Sequence, residues 1–331
     1  MVKITKPKNY LWLDLLKGIA MVAVVVDHLY AYYQNLSIQY HTGFHVSLFI
    51  LIAGFTSAIS IQNRGGVVNF SYILKRISKI FVPYVIATLI YCLAYQFFDI
   101  STIFQKIITF SVAGPLYFVF FYMQLVAISY FIYKLVNHQK SKLFDIPLVI
   151  AFYLLAMLFN KYKIISSFYG GSGVLFGGSF FFLFTLGFFA KKYENIFSFK
   201  VFNVILLVAS LIFLTIYETS NLVSLSWSNP ANNWLIGYTL IVFSLFLTLY
   251  QLFLTRFFKF LVPITIIGKN SLPIFLYHTL FINIFTLIFY IFSLPANFYI
   301  LLLPISIYFP IIVDKLFVFI KSKIKQKSFS K

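Results

Sequence analysis

Charged residues are scarce in this chain of 331 residues, and acidic residues are the scarcest of them. Asp and Glu number 7 against 26 Lys and Arg, and charged residues make up 10% of the total. A soluble domain contains about 25% charged residues, so the composition excludes a soluble globular fold. Cys92 is the only cysteine, which excludes an intramolecular disulfide and a cysteine-based metal cluster. No stretch between apolar runs is long enough to fold as a separate soluble domain.

Hydrophobic residues dominate instead, at 61% of the chain. Ten runs are long enough to cross about 30 Å of hydrocarbon. The predicted spans are 11–33, 44–61, 78–98, 116–136, 145–161, 172–190, 201–218, 234–254, 268–292 and 298–320. The runs are continuous and lack the alternation of a membrane β-barrel. We therefore expect an all-α integral membrane protein, a bundle of about ten transmembrane helices that forms one domain over residues 1–331.

Basic residues mark the predicted cytoplasmic side. They cluster at the amino terminus, in the even-numbered loops and in the tail, whereas the odd-numbered loops hold only Lys106, Lys161 and Lys163. By the positive-inside rule both termini are cytoplasmic, and we expect a multi-pass protein of the plasma membrane near anionic lipids. Because the basic residues are dispersed over six segments, nucleic acid is not an expected partner. The first apolar run is too long and too charged for a signal peptide, so we expect it to be retained.

The first predicted helix carries ionisable residues, which are costly in hydrocarbon and therefore indicate function. Lys17 and His28 are eleven residues apart, almost three helical turns, so both side chains face the same way about 16 Å apart. Asp14 precedes Lys17 by three residues and lies on the same face. One stripe of this helix thus carries a cation and a titratable base.

Each of these residues also has a simpler interpretation. Lys17 either extends to the cytoplasmic surface or has a functional role. Asp27 either orients His28 or faces polar headgroups. His45, at the start of the second span, is either an interfacial residue or part of a site, and His278 either packs on a polar partner or contacts a substrate. Since His and carboxylate residues lack ligand spacing on any single helix, we expect no metal site.

The first helix, LDLLKGIAMVAVVVDHL, resembles the pattern of acyltransferase family 3, a basic residue followed after ten residues by histidine. Lys17 stands where most members have Arg, as it often does in the fucose 4-O-acetylase-like branch. The second helix is similar to that branch's pattern at His45, Phe49, Ala53 and Gly54, with Ala53 in place of Ser and Leu48 in place of an aromatic residue. Segments 74–84, 114–123, 178–192 and 267–281 resemble later family segments in the same order.

This resemblance implies transfer of an acyl group, usually acetyl, from cytoplasmic acetyl-CoA. The acceptor would be a hydroxyl of a cell-surface or exported polysaccharide or of a lipid-linked glycan. Acetyl-CoA is expected as a co-substrate, without a permanently bound cofactor. The expected catalytic residues are His28 as general base, Asp27 and His45. The expected donor-binding residues are Lys17, Arg76, Lys79 and His278, although a basic cluster at 75–79 is also typical of topology alone.

Two other functions fit the same residues. A transporter of glycan or lipid-linked sugar would line its pathway with the same buried charges. A translocator would move only the acyl group and pass it to a separate transferase. In either role, and as an enzyme, other envelope-glycan biosynthesis proteins are expected partners.

Overall fold

The computed structural model describes residues 10–33, 42, 44–138, 142–162, 173–195, 205, 208–209, 212, 235–253 and 260–329. Within these ranges the chain is helical and forms no β-strand. The helices are α1 (Leu11–Tyr33), α2 (His45–Gln62), α3 (Phe70–Ala94), α4 (Ile100–Thr109), α5 (Tyr117–His138), α6 (Asp145–Phe159), α7 (Ser179–Lys192), α8 (Leu235–Phe253), α9 (Val262–Lys269), α10 (Ser271–Ile291) and α11 (Leu302–Phe329).

Five helical segments of the described chain are long and apolar enough to cross a membrane. They are His45–Gln62, Phe70–Ala94, Gly114–Asn137, Ser271–Ile291 and Phe298–Phe317. Helix α1 has 23 residues but carries Asp14, Lys17 and Asp27, and α6 is apolar but shorter. The predicted all-α membrane fold is confirmed, whereas the ten-span count and the cytoplasmic termini stay predictions. The predicted span 201–218 lies almost wholly outside the described residues.

Some helix boundaries differ from those predicted. Helix α3 begins at Phe70, eight residues before the predicted start, because the Asn69 side chain accepts a hydrogen bond of 2.9 Å from the backbone N–H of Tyr72. Helix α7 begins at Ser179, seven residues later than predicted, after a short 3-10 turn at 175–177. The predicted span 268–292 is interrupted near its start, where α9 ends and α10 begins after Asn270.

Helix direction follows from residues that line common cavities. Lys17 of α1, Ala53 of α2 and Ser271 of α10 line one cavity. His28 and His45 line a second. Residue numbers therefore rise from the first cavity to the second along α1 and fall along α2, so the two helices are antiparallel. Helix α10 runs parallel to α1, because the ring of His278 contacts that of His28.

Glycines allow two pairs of helices to pack backbone against backbone. A Cβ added at Gly54 of α2 would lie 2.0 Å from the carbonyl oxygen of Phe184 in α7. A Cβ added at Gly268 of α9 would lie 1.7 Å from the carbonyl oxygen of Asp14 in α1. Small residues at such interfaces are typical of membrane helix packing. The second contact fixes the backbone of α1 one turn from Lys17.

Burial divides the bundle into two central helices, α2 and α7, and outer helices. In the apolar stretch of α2, 72% of the residues are buried, against 28–33% in those of α3, α10 and α11. Leu93, Leu287 and Phe317 are each more than half exposed. Apolar surface of this extent is a mark of contact with lipid. The buried face of α2 carries His45 toward α1 and α10.

Candidate active site

Three histidines from three helices meet inside the bundle: His28 of α1, His45 of α2 and His278 of α10. The ring centroids of His28 and His278 are 4.9 Å apart, with planes at 83°. His28 and His45 line one cavity. His45 and His278 are buried, and His28 is partly exposed. We refer to these three residues as the histidine cluster.

Main-chain carbonyl groups hold each imidazole in the cluster. His28 Nδ1 lies 2.8 Å from the oxygen of Val24, and His45 Nδ1 lies 2.6 Å from that of Thr42. His278 Nδ1 contacts two carbonyl oxygens one turn earlier, at 3.0 and 2.9 Å. Because a carbonyl oxygen only accepts, each neutral ring carries its proton on Nδ1 and a lone pair on Nε2. Each Nε2 is therefore the atom that can accept a proton.

Asp27 is connected to His45 through Thr42. The Asp27 carboxylate is buried and accepts a hydrogen bond of 3.2 Å from the Thr42 hydroxyl. The carbonyl of the same threonine holds His45 Nδ1. Neighbours on a helix point about 100° apart, so Asp27 and His28 face different directions. The contacts favour Asp27 as a residue that positions His45.

Two cavities adjoin at a pair of phenylalanines. The smaller, which we name the histidine cavity, has about 260 Å³ of empty space, including open space at its mouth, and is lined by His28 and His45. The larger, which we name the Lys17 cavity, has about 720 Å³ including open space at its mouth, and its lining is mainly apolar. Phe118 of α5 and Phe275 of α10 line both, with ring centroids 5.3 Å apart. The base and the cation of α1 therefore lie on two sides of one aromatic wall.

Lys17 faces the interior of the bundle, although part of it remains accessible. Its side chain is 30% exposed, and Nζ lies 3.1 Å from Oδ1 of Asp14. The carboxylate offsets part of the cost of a cation in apolar surroundings. Because Lys17 lines a cavity, it is available to a ligand that enters there.

Arg76 and Lys79 differ in their surroundings on α3. Arg76 Nη2 donates to the Ser57 hydroxyl at 2.9 Å, while its Nη1 is buried and without a hydrogen-bond partner among the described residues. Ile80, one turn further along α3, lines the Lys17 cavity. Lys79 is exposed and lines neither of the two cavities. Arg76 lines neither cavity either, but its hydrogen bond to Ser57 ties it to α2, whose residues Ala53 and Thr56 line the Lys17 cavity.

Sequence reasoning did not single out Thr42, Phe118 or Phe275. The two phenylalanines lie in the segments 114–123 and 267–281 that carry the family resemblance. In a chain that is 21% aromatic, however, nothing separates them from other rings. Thr42 follows Asp27 by fifteen residues, a separation with no helical periodicity to signal contact.

Apolar helices that bury a histidine cluster beside a lysine-bearing cavity define a multi-pass membrane protein with a proton-accepting site. A family model described as an acyltransferase domain matches residues 10–315. The chain therefore belongs to acyltransferase family 3, and it is a membrane acyltransferase. None of the curated proteins and none of the solved structures compared with the chain gives a significant match. Assignment to the fucose 4-O-acetylase-like branch stays a prediction.

Proposed function

We propose that this acyltransferase acetylates a hydroxyl of a cell-surface or exported polysaccharide or of a lipid-linked glycan. The donor is cytoplasmic acetyl-CoA, and the site of action is the plasma membrane. The observation that carries the proposal is the arrangement of two adjoining cavities, one lined by two histidines and the other by Lys17. A donor held by the cation can present its acyl group to the base across a single wall of two rings.

His28 acts as the general base through its Nε2 lone pair. It takes the proton from the acceptor hydroxyl as the hydroxyl oxygen attacks the thioester carbonyl carbon. The carbon–sulfur bond then breaks, and the departing sulfur takes the proton from His28. The products are an acetyl ester and free CoA, with His28 neutral again. A positioned base of this kind contributes about 10²–10⁴-fold to the rate.

The other histidines support this base in different ways. His45 lines the same cavity and orients the acceptor hydroxyl, while Asp27 positions His45 through Thr42. His278 packs its ring against that of His28 and restricts its orientation. Its two main-chain contacts leave Nε2 as a second lone pair near the reacting atoms.

The donor site combines cationic side chains with the apolar lining of the Lys17 cavity. Lys17 and the Nη1 group of Arg76 supply N–H donors for the phosphates of CoA, and Lys79 extends the basic approach along α3. The apolar lining of the Lys17 cavity suits the acyl end of the donor. In this proposal the phosphates bind beside Lys17 and Arg76, and the thioester lies in the apolar part of the Lys17 cavity.

The test uses the purified protein in nanodiscs with acetyl-labelled acetyl-CoA. We expect His28→Asn to reduce acetyl transfer and donor hydrolysis by about 10²–10⁴-fold with donor binding retained. His138→Asn, at the last residue of α5, is the matched control and should retain activity. Lys17→Met should weaken donor binding about 10–100-fold, because one charge-assisted hydrogen bond is lost. Exposed Lys134→Met should leave binding unchanged.

If the wild type neither binds nor consumes acetyl-CoA, the donor assignment is wrong and the transporter hypothesis is favoured. The acceptor class has its own assay, the amount of alkali-labile acetate on envelope polysaccharide from cells with and without the protein. Equal acetate in both would overturn the glycan assignment while leaving the donor assignment intact.

A further inference from the structure

Phe118 and Phe275, which we name the aromatic wall, lie between the two cavities and have no role in the proposed proton transfer or phosphate binding. Phe118 is the second residue of α5, and Phe275 lies three residues before His278 on α10. Both rings are partly buried and border both cavities. An acyl group held on the Lys17 side would therefore pass this wall to reach His28.

We propose that the Phe118–Phe275 pair limits the length of the acyl group that this enzyme transfers, and so makes it selective for acetyl. This inference rests on the proposed function. The two rings are in contact at 5.3 Å between centroids, and Phe49 packs beside Phe118 at 6.3 Å. Ring separations of 4.5–7 Å are typical of packed aromatic pairs, so the passage is narrow.

The sizes of the two cavities support the same limit. With open space at the mouths included, the histidine cavity has about 260 Å³ of empty space, against about 720 Å³ for the Lys17 cavity. We therefore place the pantetheine part of a donor on the Lys17 side, with only its acyl end at the wall. Closely packed interiors respond to a single extra methylene. Discrimination of about 10–200-fold for each methylene is typical of an apolar pocket.

The wall can be altered without loss of the hydrogen bonds that hold the base. The carbonyl oxygen of Phe275 lies 2.9 Å from His278 Nδ1, but this contact uses the main chain and not the ring. The Phe118 ring likewise contacts other rings, those of Phe49 and Tyr122. The Phe275 ring also packs on that of His278, with centroids 6.3 Å apart. Shortening Phe118 therefore enlarges the passage and leaves the ring contacts within the histidine cluster in place, whereas shortening Phe275 also removes one ring contact with His278.

The experiment compares kcat/KM for acetyl-, butyryl- and hexanoyl-CoA in nanodiscs. The variants are Phe118→Ala and Phe275→Ala, with Phe118→Leu and Phe275→Leu as milder changes in case the alanine variants fail to fold. The matched controls are Phe120→Ala on α5 and Phe281→Ala on α10, whose rings pack on Phe110 and Phe309 away from both cavities. We expect the butyryl-to-acetyl ratio to rise at least tenfold in the wall variants and to stay within about twofold in the controls.

Three results would overturn the inference. A wild type that uses hexanoyl-CoA as well as acetyl-CoA has no length limit. Active wall variants with the wild-type ratio would show that the rings do not set it. A wild type that neither binds nor consumes acetyl-CoA overturns the donor assignment and this inference together, a result distinguishable from the first two by the absence of any turnover.

Discussion

An ion pair at the end of α7 allows a quantitative test of the packing. Lys192 Nζ lies 2.8 and 2.7 Å from the two carboxylate oxygens of Asp145, at the start of α6, and 2.9 Å from the carbonyl oxygen of Val136 in α5. Tyr193 also donates a hydrogen bond to Asp145. The cluster therefore joins α5, α6 and α7, and we expect Lys192→Met to weaken all three contacts.

The magnitude follows from the burial of the partner left behind. The Asp145 side chain is 7% exposed and that of Lys192 is 19% exposed. Removal of one member of a buried pair costs about 3–5 kcal/mol, because a buried charge remains without its partner. The residual exposure of Lys192 favours the lower end, about 3 kcal/mol, which is roughly a 150-fold change in the unfolding equilibrium constant. Replacing both residues, Lys192→Met with Asp145→Leu, should restore most of this loss because no charge is left unpaired.

The assay is the midpoint temperature at which detergent-solubilised protein loses its monodisperse peak in size-exclusion chromatography. Lys134→Met is the matched control. This lysine is exposed, and its contact with the ring of Tyr130 is worth only about 0.5–1 kcal/mol. A Lys192→Met midpoint equal to that of the control would refute the reasoning. So would a double variant less stable than the single one.

Three further predictions concern the site and its supports. Partial burial, with the hydrogen bond and charge of Asp145, raises the pKa of Tyr193 to about 12. Its stabilisation is complete below the unfolded pKa of about 10 and is lost as pH rises through 12, so Tyr193→Phe should flatten the fall in midpoint temperature between pH 10 and 12. Gly268→Ala places a Cβ 1.7 Å from the Asp14 carbonyl oxygen, half of an ordinary 3.4 Å contact, so α9 must shift relative to α1. Because α1 carries Lys17 and His28, kcat/KM for the donor should fall about 10²-fold. An unchanged kcat/KM in folded Gly268→Ala would contradict this reasoning. Asp27→Asn retains an oxygen for the Thr42 hydroxyl and should keep most activity. Asp27→Ala lacks this oxygen and should lower kcat about tenfold and alter the pH–rate profile. Equal activity of the two variants would exclude a positioning role.

The positions of His28 and His45 were easier to predict from the sequence than the contacts that join them to Thr42, Asp27 and His278. His28 and His45 could be predicted at one depth because consecutive spans run in opposite directions and each residue's distance from its helix end is countable. The contact of His278 with His28 requires α10 to pack against α1, and helix adjacency is not encoded in hydropathy. Thr42 joins Asp27 to His45 from outside the predicted spans, so neither periodicity nor hydropathy could identify it.

Helix boundaries show the same division. The start of α2 was predicted within one residue, because a continuous apolar run marks it. The start of α3 was misplaced because Lys75, Arg76 and Lys79 make its first three turns resemble a loop, while the cap by Asn69 is a local hydrogen bond that a hydropathy pattern does not show. The break between α9 and α10 falls at Lys269 and Asn270, polar residues that the prediction placed inside the edge of the ninth span and not between two helices.

The Nδ1 contacts of His28 and His45 have a consequence for what the histidine cavity can hold. The only N–H of each neutral ring donates to a main-chain carbonyl oxygen. Each ring therefore has a lone pair on Nε2 and no further N–H for a ligand. A carbonyl or ether oxygen finds no donor in either neutral ring, whereas an alcohol brings the hydrogen that both rings can accept. The main-chain carbonyl groups of Val24 and Thr42 thus favour an acceptor hydroxyl over a carbonyl or ether oxygen as the hydrogen-bond partner of these two rings.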